Sequence, residues 1–114
     1  MELQSNNKRS LYTRMGKRVL ICWNEREETI QPEVEGGEPI TMYRYSYVKV
    51  LFPFTYESLV SSIIRSEYND DKMQAVINNY LDNPTDEKRL QEFTDMQNWR
   101  KEAKEVAHEV MESL

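Results

Sequence analysis

Any chemistry in this chain must be built from one histidine, one cysteine and twenty carboxylates. A Ser-His-Asp triad would need a serine on a sharp strand-to-helix turn, and no G-x-S-x-G stretch occurs. His108 falls near the end of a helical pattern, where the negative dipole end favours its cation without any catalytic role. Cys22 stands between Ile21 and Trp23, the setting of a thiol packed as a small hydrophobe. Lys17 and Arg18 are the nearby positive charges that an activated thiolate would use. One cysteine cannot form an intramolecular disulfide or a zinc site of several thiolates. Glu25, Glu27 and Glu28 surround Arg26, a solvated charge cluster in a turn. Asn69-Asp70-Asp71 lacks the alternating ligands and distant glutamate of a calcium loop, and helix capping accounts for it. GxGxxG, P-loop, HExxH and CxxC patterns are all missing. The expectation is a protein that is not an enzyme, with no catalytic, metal or cofactor-binding residues.

Two features point to recognition instead. Tyr43, Tyr45 and Tyr47 recur at every second position, so on a strand they share one face. Ile40, Met42, Val48 and Val50 share the other face with Arg44 and Ser46. If helices cover the aliphatic face, the tyrosines form a binding patch; if helices cover the tyrosines, the patch disappears. Arg44 makes the second arrangement less comfortable, because a buried arginine needs a partner. The second feature is a long C-terminal helix with Leu90, Phe93, Met96, Trp99, Ala103, Val106, Ala107, Val110 and Leu114 in steps of three and four. Its end either wraps the domain or projects Val106, Val110 and Leu114 toward a partner or a second copy. Tyr43, Tyr45, Tyr47, Trp99, Val106 and Val110 are therefore the expected protein-binding residues.

A nucleic-acid reading rests on charge. The net charge is −5, yet the first two dozen residues carry Lys8, Arg9, Arg14, Lys17 and Arg18 against Glu2 alone. These five residues have only Tyr12 as an aromatic among them in the linear sequence, which makes their electrostatic footprint thin. A helix-turn-helix reading of residues 56–81 fails on Asp70 and Asp71, since an acidic surface repels the phosphates that supply most of the affinity.

The elements that must position these residues follow from periodicity. The chain has one domain's length, 114 residues, with 39% hydrophobic and 31% charged residues, and a mean hydropathy of −0.81. Residues 1–15 read as a mobile basic segment, and 16–114 as a single α+β domain. Strands are expected at about 17–24, 28–34 and 39–51, as a small antiparallel sheet of about three strands, with Pro32 marking the second as an edge and Glu35-Gly36-Gly37-Glu38 as a turn. Phe52-Pro53 stops the last strand, and Thr55 caps a helix by accepting from the amide of Glu57 or Ser58. Helices are expected at about 55–67, 70–81 and 85–112, the last capped by Thr85. The polar start MELQSNNKRS has no apolar core of a signal peptide, and no apolar stretch is long enough for a membrane span.

Residues 51–107 resemble short bacterial and prophage proteins, some of which lie among tail genes. The resemblance is carried by the Tyr68–Asp71 turn, by Asn79-Tyr80 with Asn83-Pro84, and by Met96-Gln97-Asn98-Trp99-Arg100. The terminal helix with its Trp-Arg pair is similar to that of small tail-assembly accessory proteins. This implies an assembly or adaptor role without catalysis. The expectation is thus a non-enzymatic protein-interaction module, binding a protein partner or itself, in the cytoplasm or within a phage particle. The alternative is a nucleic-acid-binding protein that uses its basic N-terminal segment.

Overall fold

The structure, a computed structural model, describes residues 2–114. It is α+β: an antiparallel sheet of four strands, followed by three helices of which the last is long. The chain divides into two compact units, a sheet unit that ends at Pro53 and a helical unit over Phe54–Leu114. Among the described residues no helix is long and apolar enough to cross a membrane.

The sheet is built on two long central strands, β3 (Arg18–Ile30) and β4 (Ile40–Leu51). They pair from Arg18↔Leu51 to Ile30↔Ile40, so the expected strand over 28–34 is not a separate element. The reason lies at Asn24, whose φ of 58° places it in the left-handed region that asparagine tolerates better than most residues. Trp23 pairs with Ser46, and the next pair is Arg26 with Arg44, so β3 carries one residue more than its partner. This bulge lets the strand run on without swapping its faces. Glu25 to Glu28, expected as a turn, are strand residues for the same reason. Residues 31–39 close the hairpin, with Gly36 supplying the positive φ its turn requires.

Two short strands flank this hairpin, in the order β1-β4-β3-β2. β1 (Glu2–Ser5) pairs with Tyr43–Ser46, and β2 (Tyr12–Met15) pairs with Arg18–Ile21. Most of the segment expected to be mobile is therefore strand. Four-residue edge strands carry too little periodicity to be read alone; their partners stabilise them.

In the helical unit, α1 (Tyr56–Glu67) opens on a reciprocal cap in which the Ser58 amide donates to Thr55 Oγ1 at 3.1 Å and the Thr55 amide to Ser58 Oγ at 3.0 Å. α2 (Asp70–Asp82) is capped by Asn69, which accepts from the Lys72 amide at 2.8 Å. α3 (Glu87–Ser113) begins one residue later than a Thr85 cap would give. Its N-cap is Asp86, and the Thr85 hydroxyl is turned to Asn83 Oδ1.

The lengths explain the arrangement. At 27 residues α3 is about 40 Å long, while α1 and α2, at 12 and 13 residues, are each about 18–20 Å. The Ile63 carbonyl accepts from the Trp99 indole, and the Tyr80 and Phe93 rings stack at 4.2 Å. Thus α1 and α2 lie in succession along α3, which they reach near its middle and toward its N-terminus respectively. Arg89 fastens the α2 end to α3 through the Asn79 carbonyl and Asp82.

Candidate binding surfaces

The tyrosine row does not divide into a covered face and a bare one, because both faces of β4 are used. Tyr45 is only 2% exposed and forms a cluster with Leu20 and Cys22, against which Leu3, Tyr43 and Tyr47 pack. On the opposite face Val48, Val50 and Ser46 are buried as well. Arg44, on that face, finds its partners in Glu28 at 3.1 Å and Glu2 at 3.8 Å, while Arg26 takes Glu2 at 2.6 Å.

The cover over Tyr45 comes from the N-terminal segment. β1 and β2 lie on opposite edges of the sheet, so residues 6–11 must cross both central strands. Three strand spacings are about 14 Å, and a link of this length spans little more than that once it rises over side chains. It crosses the tyrosine face as a strap. The Arg9 amide donates to the Tyr45 hydroxyl at 2.7 Å, that hydroxyl donates to Glu25 at 2.9 Å, and the Cys22 amide donates to the Leu11 carbonyl at 2.9 Å. Burial holds the Tyr45 hydroxyl above its ordinary value; the Arg9 amide opposes this, and the bond to Glu25 adds to it. Burial also pushes the Cys22 thiol up, with Arg9 acting weakly the other way, so the cysteine is held as an unreactive thiol.

The strap also settles what accompanies the basic residues. Lys8, Arg9, Arg14, Lys17 and Arg18 are all exposed. The Lys8 ammonium lies 5.9 Å from the centre of the Tyr43 ring, and the Arg14 guanidinium 4.0 Å from that of Phe52. Lys49, a basic residue that charge counting along the N-terminal segment passes over, lines a hollow of about 200 Å³ together with Arg18, Val50 and Leu51.

The remaining residues expected to bind protein, Trp99, Val106 and Val110, differ in burial. Val106 and Val110 are buried along with Ala103 and Ala107, so the last turns of α3 present no projecting apolar seam; only Leu114 is well exposed. Trp99 is half-buried, its indole nitrogen donating to the Ile63 carbonyl at 3.3 Å. It walls a hollow of about 280 Å³ with Glu67, Tyr68, Asp95, Asn98 and Glu102. A second hollow of about 310 Å³, lined by Tyr68, Lys72, Val76, Glu92 and Asp95, shares Tyr68 and Asp95 with the first. Together they make a trough between α3 and the α1–α2 junction. Glu92, Asp95, Trp99 and Glu102 fall at helical spacing along its α3 wall, a signal present in the sequence but outweighed there by the apolar stripe. Lys72 is its one basic residue, with the ammonium 4.7 Å from the Tyr68 ring centre. Burial and then the carboxylates Asp95, Glu67 and Glu92 raise Tyr68; burial and then Glu105 raise Glu102.

His108 pairs with Glu112 at 2.9 Å on the exposed side of α3. Among the described residues no group of three or more histidines, cysteines or carboxylates is placed to hold a metal ion. Comparison with protein-family models, with curated proteins and with solved structures found no match.

Proposed function

We propose that this chain is a non-enzymatic protein-binding module whose trough along α3 takes a lysine- or arginine-bearing segment of a partner. The observation that carries this reading is the composition of the trough: Glu67, Glu92, Asp95 and Glu102 with the rings of Tyr68 and Trp99, against Lys72 alone. A cation lowered between a carboxylate and a ring gains both an ion pair and an attraction to the π face. Lys72 over Tyr68 displays the ring half of that geometry within the chain itself. The assembly or adaptor role implied by the phage-like resemblance suits a module of this kind, and the partner's segment belongs to another protein or to a second copy.

The test uses a fluorescent peptide of alternating lysine and glycine, titrated with the full chain. Binding is expected, and Asp95→Asn with Glu102→Gln together weaken it about tenfold, since each exposed pair contributes ~0.2–1 kcal/mol and Tyr68 loses Asp95, the foremost of the carboxylates beside it. Glu33→Gln with Glu35→Gln removes the same charge from the sheet unit and leaves affinity unchanged. Because burial raises Glu102 above the ordinary 4.5, affinity begins to fall with decreasing pH before ordinary carboxylates protonate, and later in Glu102→Gln. Equal losses in the two double variants would show bulk charge alone and end the proposal.

A further inference from the structure

The sheet unit carries eight lysines and arginines against seven glutamates, close to neutral, but the signs are separated in space. Arg26 and Arg44 are tied to Glu2 and Glu28. The other six, Lys8, Arg9, Arg14, Lys17, Arg18 and Lys49, are exposed, and among the described residues none lies within ion-pair distance of a carboxylate. Six glutamates fall in residues 25–38, toward the β3–β4 hairpin, while Arg14, Lys17, Arg18 and Lys49 make the β2–β3 turn and the end of β4 a basic pole, with Lys8 and Arg9 on the strap.

Register places the pole's members. Leu20 faces Lys49 and Arg18 faces Leu51, so Arg18 and Lys49 stand on the tyrosine face, one strand step beyond Tyr47. The strap sets Lys8 over Tyr43 on that same face, whereas Arg14, paired with Val19, belongs to the opposite face, where its guanidinium meets Phe52. To Tyr12, the one aromatic among the basic residues in the linear segment, β4 adds Tyr43 and Tyr47 on the face that carries Lys8, Arg18 and Lys49. From Tyr43 to Leu51 this track is about 27 Å long. It offers cations for a charged backbone, the half-buried ring of Tyr47 for a flat base, and between Arg18 and Lys49 a hollow of about 200 Å³ that admits a phosphate. Glu25 and Glu27 stand at the Tyr43 end, which directs the phosphates toward Arg18 and Lys49.

We infer that the basic pole of the sheet unit binds single-stranded nucleic acid, with Arg18 and Lys49 on the backbone and Tyr47 as a stacking platform. Cations on the backbone and a flat ring under a base read no base edge, so the binding is independent of sequence. It is weak and strongly salt-dependent, because a handful of phosphate contacts supplies it.

The full chain is titrated into fluorescein-labelled dT12 at several salt concentrations, following anisotropy. Three to five contacts give a log–log salt slope of about −2 to −3.5, since each contact on a single strand adds about −0.7. Arg18→Gln with Lys49→Gln is expected to reduce that slope by about 1.4. Tyr47→Leu weakens binding about fivefold or more at unchanged slope, and Tyr47→Phe restores it. Lys88→Gln with Lys101→Gln, an equal charge change in the helical unit, leaves both readings as in the wild type. The inference is overturned if dT12 does not bind at 20 mM salt, or if the two glutamine pairs behave alike. It is also overturned if polyglutamate displaces dT12 charge for charge while Tyr47→Leu changes nothing, which assigns the pole to acidic polypeptides. Equal affinity for a twelve-base-pair duplex overturns the single-strand assignment. The lysine–glycine peptide reports on the other unit, so either proposal can fail without the other.

Discussion

Tyr45 shows how one hydroxyl can organise a surface. It accepts from the Arg9 amide and donates to Glu25, so the strap and the bulge are both fastened to it. Tyr45→Phe keeps the ring in its cluster and removes both bonds, one of them to a charged group. The expected cost is about 1–2 kcal/mol, read as a lower urea midpoint, with faster labelling of Cys22 by a thiol reagent as the strap loosens. The pH dependence has a definite sign. The folded unit holds the Tyr45 proton more tightly than the unfolded chain, whose value is near 10.0. Its contribution is complete below about pH 10 and is lost as the pH rises toward the folded value. Stability measured between pH 9 and 11.5 should decline in the wild type and decline less in Tyr45→Phe.

Among the elements, the bulge in β3 does most to set the sheet. One extra residue at Asn24 and Glu25 keeps Trp23 and Arg26 on the same face, although they are three apart in sequence. Without it, Arg26 would turn to the tyrosine side and leave Glu2, and the Arg26–Glu2–Arg44–Glu28 network would not form. Asn24 has a φ of 58°, so a β-branched residue there is strained while glycine is not. Asn24→Val should cost about 1–2 kcal/mol and Asn24→Gly should lie within about 0.5 kcal/mol of the wild type, both read by urea denaturation. An equal loss in the two would place the asparagine's role in its side-chain amide instead. Much of this level was legible in the sequence. The helix starts at Thr55 and Asn69, the hairpin turn at Gly36 and the three helical periods all rest on local chemistry, and local chemistry is what a linear reading captures. The two edge strands and the continuity of β3 were not legible. A four-residue strand and a one-residue bulge are stable only against a partner that lies far away in sequence.

For the whole molecule the governing quantity is the distribution of charge. The helical unit holds thirteen carboxylates against seven lysines and arginines, while the sheet unit is near neutral and polarised. With an isoelectric point of about 5.0, mutual repulsion between copies vanishes near pH 5 while opposite surfaces remain available to one another. Static light scattering at low salt should therefore rise as the pH approaches 5, and added salt to 0.3 M should reverse it. An increase with salt would indicate apolar association instead, and would point to exposed side chains such as Val34, Ile40 and Leu51.

The sequence by itself determined the α+β class, the order of strands before helices, the helix boundaries to within two residues, and the uneven charge. Each of these is written in neighbouring residues, through period, capping and composition. Only the tertiary structure decided that the basic segment straps the tyrosine row, that Val106 and Val110 are buried, and that Lys49 joins Arg18. It also decided that Tyr68 meets Asp95 across a trough. These are contacts between residues up to thirty-six positions apart, fixed by strand order, by register and by two short helices matched in length to one long one. Surfaces that bind are made of such contacts, so the candidate sites moved while the elements that carry them stayed in place.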